Sequence, residues 1–565
     1  MTTPRDELIA IQKRLVEELK ERVYDHVGRN DPVMDRYYRD YQAEFKPGFE
    51  RPASRDEIIQ QLARAQLAYF GDYHTLRSAQ SAVLDLLGEV ARRHEKKLVL
   101  CVEMLHAEHN HLVQAHLDNE MDSVEFRRQV HWTTSWNFPW ASWGRFFEFA
   151  REHKAPLYGV NLRTEGRPDS LQHRDSFAAG LVSALTLLHP DRLIAVVYGD
   201  LHMAQGHLPA AVQGRLETFG AQRRAVRVYQ NSETVYWLLV GRQIEHVVDY
   251  VKLKRDVYVL MNATPLVKFQ SFLNWQHQAQ ELAGRADDSD TDSENLLLEQ
   301  IHDHIRTITE FLGISLPETA NFEVYTPNDL DFLQRLVERG VYSEGEMAAL
   351  KSYIAMTDSA FFERAHVLYL GNLSVANAAE AAARYVLSEL RPESREPVVA
   401  RDEFYARCMV EALAFFCSKI IDHRRVARDE TTWREVLDRV GRRRKLGVAQ
   451  RIDASTARGY LRHKEYERQV LATGGYGSPP RGLFGLPAEQ HVALTRALGR
   501  ALGEMIYHGV SEGRVSKELV RQAMQDDVRE PDRSRMRYFQ FLRLALRWRP
   551  TAKAAKYRKP VAEEE

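Results

Sequence analysis

Two short segments of this chain place ionisable side chains directly behind apolar runs. Leu67–Phe70 leads into Gly71-Asp72-Tyr73-His74, and Leu193–Tyr198 leads into Gly199-Asp200-Leu201-His202. A third apolar run, Leu98–Val102, ends at Glu103-Met104. On extended backbone, side chains two residues apart point the same way. Each Asp-x-His pair is therefore expected to present a carboxylate and an imidazole together, with glycine allowing a tight exit from the strand and close approach of a ligand. Asp72, His74, Glu103, Asp200 and His202 could hold a borderline divalent metal such as zinc or manganese. It would polarise a carbonyl and acidify a bound water. Without metal, His74, Glu103 and His202 could act as general acid and base. The plainer alternative is that each Asp bonds its own loop backbone and each His is a satisfied polar residue.

For these groups to meet, the apolar runs must be neighbouring strands of one sheet. Strands are expected at Leu67–Phe70, Leu98–Val102, Leu157–Val160, Leu193–Tyr198, Ala225–Tyr229, Val235–Val240 and Val257–Met261. Helical stretches around 77–93, 107–153 and 174–188 separate the first four. Near-continuous apolar strands alternating with helices indicate an α/β fold, a mostly parallel sheet flanked by helices, with right-handed crossovers. Ligands of such sheets bind beyond the carboxyl ends of the strands.

Other clusters lie nearby. His106, His109, His111 and His116 fall within LHAEHNHLVQAHLDN, where His109 and His116 would share a helical face. They read as extra metal or haem-iron ligands or as a His-rich solvated face. HExxH is absent. Trp132, Trp136, Trp140 and Trp143 crowd one short span, suited to the wall of a flat apolar ligand or to a structural anchor. Asn161 closes the Leu157 strand. Arg174-Asp175 opens a helix, where the arginine could clamp a carboxylate or propionate or simply pair at the helix start. There is no GxSxG after a strand, no Walker A loop and no GxGxxG.

The remaining organisation is read as a helical lead-in at 1–62, the α/β domain at 63–280, an acidic linker at 281–295, a mainly α-helical domain at 296–550 and a flexible tail at 551–565. Lys and Arg number 78 against 79 Asp and Glu, so a chain-wide grip on nucleic acid is not expected. The basic stretch His423–Lys445, with GRRRK at 441–445, reads as a solvated face. Three cysteines cannot build a disulfide framework or a Cys-rich zinc site. No run is long and apolar enough to span a membrane, and the charged start lacks an h-region or a lipidation cysteine. The expected compartment is the cytoplasm.

Taken together, GDYH at 71–74, Glu103-Met104, the helix at 143–153 leading to Asn161, Arg174-Asp175, GDLH at 199–202 and Gly206-His207-Leu208-Pro209 resemble the ChaN-like haem-binding family. That family lies in the superfamily with Tiki-type proteases and erythromycin-esterase-like hydrolases. The resemblance spans about residues 66–230. The family more often has GExH where this chain has GDYH, a carboxylate shortened by one methylene. The resemblance implies a haem or porphyrin ligand and a link to iron metabolism, with Tyr73 or His74 on iron and Arg174 at a propionate. By analogy with the hydrolytic relatives it implies a His74, Glu103 and His202 core supported by Asp72 and Asp200. The alternatives are a metal-dependent hydrolase and a non-catalytic scaffold that binds a protein partner through its helical half.

Overall fold

The computed structural model describes residues 3–27, 32–164, 170–284, 291–316, 322–327, 331–357, 359–391, 399–441, 446–477, 479–480, 482–528 and 530–545. The expectations for the acidic residues 285–290, for 442–445 of the GRRRK run and for the tail at 551–565 lie outside the described residues. The chain divides into two compact units. One is formed by residues 18–279, the other by 1–17 with 280–549.

The first unit is α/β. Its strands are β1 (Arg51–Pro52), β2 (Leu67–Asp72), β3 (Leu98–His106), β4 (Leu157–Asn161), β5 (Leu193–Gly199), β6 (Ala225–Gln230), β7 (Tyr250–Lys254) and β8 (Val257–Leu260). They form one sheet in the order β1-β7-β8-β6-β2-β5-β3-β4. The pairs from β8 through β4 are parallel, while β7 runs antiparallel to β8 and β1 to β7. Every residue of β2 and β5 is buried, as expected of strands covered on both faces. Helices such as Arg77–His94 and Trp140–His153 contribute to the core that seals the sheet.

The decisive feature is that β5 inserts between β2 and β3. Three strands distant in sequence thereby end side by side, the arrangement that opens a crevice at the carboxyl edge of a parallel sheet.

Six of the seven expected strands form, most of them running on by a residue or more. The seventh does not: Val235–Val240 belongs to a helix, Glu233–Gly241. Ser232 caps it by accepting from the Val235 N–H, and Val235, Tyr236, Leu239 and Val240 are buried at helical spacing. A short continuous apolar run does not by itself distinguish a buried helix from a buried strand. The long helical stretch expected at 107–153 is broken into a 3-10 turn and the helices Asn110–Leu117, Ser123–Gln129, Trp132–Ser135 and Trp140–His153.

The second unit is mainly helical. Its long helices include Val375–Leu390, Ala400–Ile421, Val448–Thr473 and Ala488–Ser511. Gly499 and Gly503 let the last of these lie directly on the backbone of Ala400–Ile421, since a Cβ at Gly499 would stand 2.6 Å from the Cys408 carbonyl. This unit also holds a small sheet that the sequence reading did not anticipate: β9 (Glu323–Tyr325), β10 (Ser359–Phe362) and β11 (Val367–Leu370), in the order β10-β11-β9. Among the described residues no helix is long and apolar enough to cross a membrane.

Candidate functional site at the strand ends

The floor of the site is built from β2, β3 and β5. Where β2 ends, His74 Nδ1 lies 2.8 Å from Asp72 Oδ2. The other Asp72 oxygen accepts from Gln80 Nε2 at 2.6 Å, a contact from the helix Arg77–His94. This Asp-x-His pair does meet, although β2 ends at Asp72 and His74 already lies in the turn that the Leu76 N–H closes onto the Tyr73 carbonyl. Anchored through Nδ1, the imidazole brings Nε2 to 4.0 Å from Glu103 Oε2.

Glu103 lies inside β3 rather than beyond it. Pairing of β3 with β5 stops at Val102, and its register against β4 slips between Val102 and His106. Such irregularities re-aim a side chain. Here the Gly199 N–H donates to Glu103 Oε2 at 2.5 Å, and the other oxygen pairs with Arg174. Arg174 in turn donates through Nε to Asn161 Oδ1 at 2.9 Å, at the end of β4. Gly199 is the point of convergence. A Cβ there would lie 3.3 Å from Glu103 Oε2, 3.4 Å from His74 Cε1 and 3.6 Å from His202 Cδ2. His74, Glu103 and His202 are thus brought together.

The second Asp-x-His pair behaves differently from the first. The chain leaves β5 directly into a 3-10 helix, Asp200–Met203, so the period-2 argument no longer applies. Asp200 turns toward Lys268, with Nζ at 3.3 Å, and accepts from the Tyr41 hydroxyl at 3.4 Å. His202 turns the other way and places Nδ1 2.6 Å from Asp175 Oδ1. The Tyr37 hydroxyl donates to the second Asp175 oxygen at 2.7 Å. Gly71 is approached not by a ligand but by Asp200, whose carboxylate fills the space a Cβ would need.

The electrostatics follow from this wiring. Burial raises the Asp72 pKa more than its bonds to His74 and Gln80 lower it. Burial opposes charge on His74, yet the Asp72 bond and the Glu103 charge outweigh it and raise the imidazole pKa. For Glu103, burial is overcome by Arg174, His74 and His202, which hold the carboxyl below its usual range. Burial raises Asp200 despite Lys268.

Above the floor lies a cavity of about 630 Å³, lined among others by His74, Glu103, Arg174, Trp136, Phe138, His106, His109 and His131. The rings of Trp136 and Phe138 stand 4.6 and 5.1 Å from that of His74, centroid to centroid. The tryptophan cluster therefore divides its roles. Trp136 faces the cavity, while Trp132 and Trp143 are buried in the core. Tyr73, Asp72, Asp200 and His202 do not line this cavity. Tyr73 packs against Leu76, Ala79, Ala263 and Val267, with the Lys268 ammonium 4.8 Å from its ring centre. Arg174 lines the cavity but is engaged by Glu103 and Asn161. The carboxylates suggested as metal ligands are likewise engaged: Asp72 by His74 and Gln80, Glu103 by Arg174 and Gly199, Asp200 by Lys268. They do not form a converged donor set for zinc or manganese.

The histidine cluster separates as well. His116 is buried, with Nδ1 2.8 Å from the Met121 carbonyl and its ring stacked on Phe126. His106 ends β3, and His109 lies in the 3-10 turn Ala107–His109. Burial lowers the pKa of both.

Sequence reasoning missed Tyr37, Tyr41, Gln80 and Lys268 and gave Asp175 no role toward His202. The one available signal was the Tyr37/Tyr41 pair, one turn apart on one face of the helix Pro32–Ala43.

No curated protein matches this chain. Among solved structures, one described as "Cofacial heme binding to ChaN of Campylobacter jejuni" aligns with a TM-score of 0.26 and 13% identity, covering 32% of this chain and 87% of that one. Residues 58–167, the segment carrying Asp72, His74, Glu103 and Asn161, match the family model described as haem-binding uptake, Tiki superfamily, ChaN.

Proposed function

We propose that the strand-end cavity of residues 18–279 binds haem or a related porphyrin. The observation that carries this reading is His74: its Nδ1 is held by Asp72, and its ring lines the cavity beside those of Trp136 and Phe138. The donor set suits the group. An imidazole serves as an iron ligand and aromatic side chains cover a flat ring, while Arg174, although paired with Glu103, borders the cavity where a propionate could meet it. A cavity of about 630 Å³ also falls within the usual range for cofactor-sized ligands. The family match of residues 58–167 supports the same reading. His74 is preferred to Tyr73 as the iron ligand because Tyr73 does not line the cavity. A role in iron metabolism would follow from such binding.

Hemin titration tests this. The wild-type protein should give a shifted Soret band at one equivalent, His74→Ala should diminish it, and Tyr73→Phe should leave it intact. An unchanged spectrum in His74→Ala would remove the assignment.

A second reading is favoured by one observation. His74 and His202 are both anchored through Nδ1 by a carboxylate, and both lie with Glu103 around Gly199. Anchoring fixes the tautomer and frees Nε2 for proton transfer, as in a hydrolase that activates water. Turnover of an ester and peptide panel that is lost in Glu103→Gln and His202→Ala would establish it; a panel with no turnover would remove it.

A further inference from the structure

At the end of β3 the chain turns through the 3-10 segment Ala107–His109, and this turn folds three donor side chains toward one another. His106 Nδ1 stands 4.0 Å from Glu108 Oε1, and His109 Nε2 stands 3.6 Å from the same oxygen. One donor atom from each of the three residues lies within 4.8 Å of the other two. The two imidazoles are nearly parallel, 6.1 Å apart with an interplanar angle of 29°.

These separations are too long for hydrogen bonds, which lie near 2.7–3.2 Å. They are close to what a shared cation requires. Ligand atoms about 2.0–2.1 Å from a tetrahedral zinc stand roughly 3.3 Å apart, a spacing that small side-chain rotations would reach from here. Nor is the cluster a solvated helix face. The His106 and His109 side chains are only 14% and 16% exposed, while Glu108 is 56% exposed.

We propose that His106, Glu108 and His109 form a binding site for a borderline divalent metal of the zinc type, distinct from the Asp72, His74 and Glu103 floor. Two imidazoles and one carboxylate are a donor set that such ions accept while keeping a coordination position open. Both imidazoles line the cavity, so a metal they hold would be reachable from it. A metal there would offer water, or an oxygen or nitrogen donor of the cavity's ligand, a place to bind. The site stands whether or not the cavity takes haem.

The test uses the full chain, stripped with a chelator and then titrated with Zn²⁺ by calorimetry and with Co²⁺ by visible absorption. One equivalent should bind, and cobalt should show the intense d–d bands of a low-symmetry imidazole–carboxylate site. His106→Ala and His109→Ala should each lower affinity by about a hundredfold, and Glu108→Gln by about tenfold. His111→Ala on the same segment and His74→Ala on the floor should leave it unchanged. Zinc should raise the melting temperature of the wild type but not of the His106→Ala/His109→Ala double variant. If a histidine variant fails to fold, Glu108→Gln at its exposed position still decides the matter. Unchanged affinity in Glu108→Gln and the folded histidine variants, or loss of binding in His74→Ala alone, overturns the proposal.

Discussion

Asp175, from the helix Ser170–Leu188, holds His202 through Nδ1 at 2.6 Å, while Asp200, two residues away in sequence, pairs with Lys268. This exchange of partners sets the orientation of the second imidazole. Asp175→Asn should therefore change the His202 tautomer and cost about 1–3 kcal/mol through the buried groups left poorly paired. Asp200→Asn should leave that tautomer intact. Imidazole nitrogen NMR distinguishes the two. An altered His202 signal in Asp200→Asn alone would contradict the wiring described.

Glu103 and Arg174 form a buried pair between β3 and the helix Ser170–Leu188. Glu103→Gln should destabilise the protein by about 3–5 kcal/mol, because the Arg174 charge loses its partner in a desolvated place. Adding Arg174→Met should recover part of that loss. Urea unfolding of the single and double variants measures the coupling, and purely additive effects would show the pair to be energetically unimportant.

Gly71, the last residue but one of β2, and Gly199, the last of β5, are required for different reasons. A methyl group at Gly199 would press on Glu103, His74 and His202 at 3.3–3.6 Å, so Gly199→Ala should impair ligand binding at a stability cost of about 1 kcal/mol. A methyl group at Gly71 would overlap the Asp200 carboxylate and force it off Lys268. Gly71→Ala should thus cost about 3 kcal/mol or more. Melting curves with hemin titrations check both the order and the contrast.

In the helical unit, His304 is 4% exposed and neither ring nitrogen has a hydrogen-bond partner among the described residues. Burial pushes its pKa down to about 4. The unfolded chain takes up this proton near pH 6.5, so between about pH 6.5 and 4 it binds more protons than the native state. The stability that neutral His304 allows is full above that window and is lost as the pH falls through it, by up to about 3 kcal/mol. His304→Leu should flatten this slope. Urea midpoints near pH 7, 5 and 4 provide the comparison.

Much of the framework was legible in the residues alone. The apolar runs at Leu67, Leu98, Leu157 and Leu193 alternate with helical stretches, the pattern of a covered parallel sheet, and their polar ends were therefore expected to share an edge. The expectation from local extended geometry matched the contact of Asp72 with His74, although His74 itself sits in a turn just past β2. It failed for Asp200 and His202, because a 3-10 turn replaces the strand at that point. It failed for Val235–Val240, because length and hydrophobicity suit a buried helix as well as a strand.

Chain order and side-chain type thus determined which groups were available at the carboxyl edge of the sheet. Only the tertiary structure decided their partners. Strand β5 had to enter between β2 and β3 before Glu103 could approach His74 and His202. Tyr37, Asp175 and Lys268 reach these groups across long stretches of sequence that local periodicity does not connect. Which donor bonds to which acceptor is a matter of distance and direction in space, and those are fixed only when the layers pack.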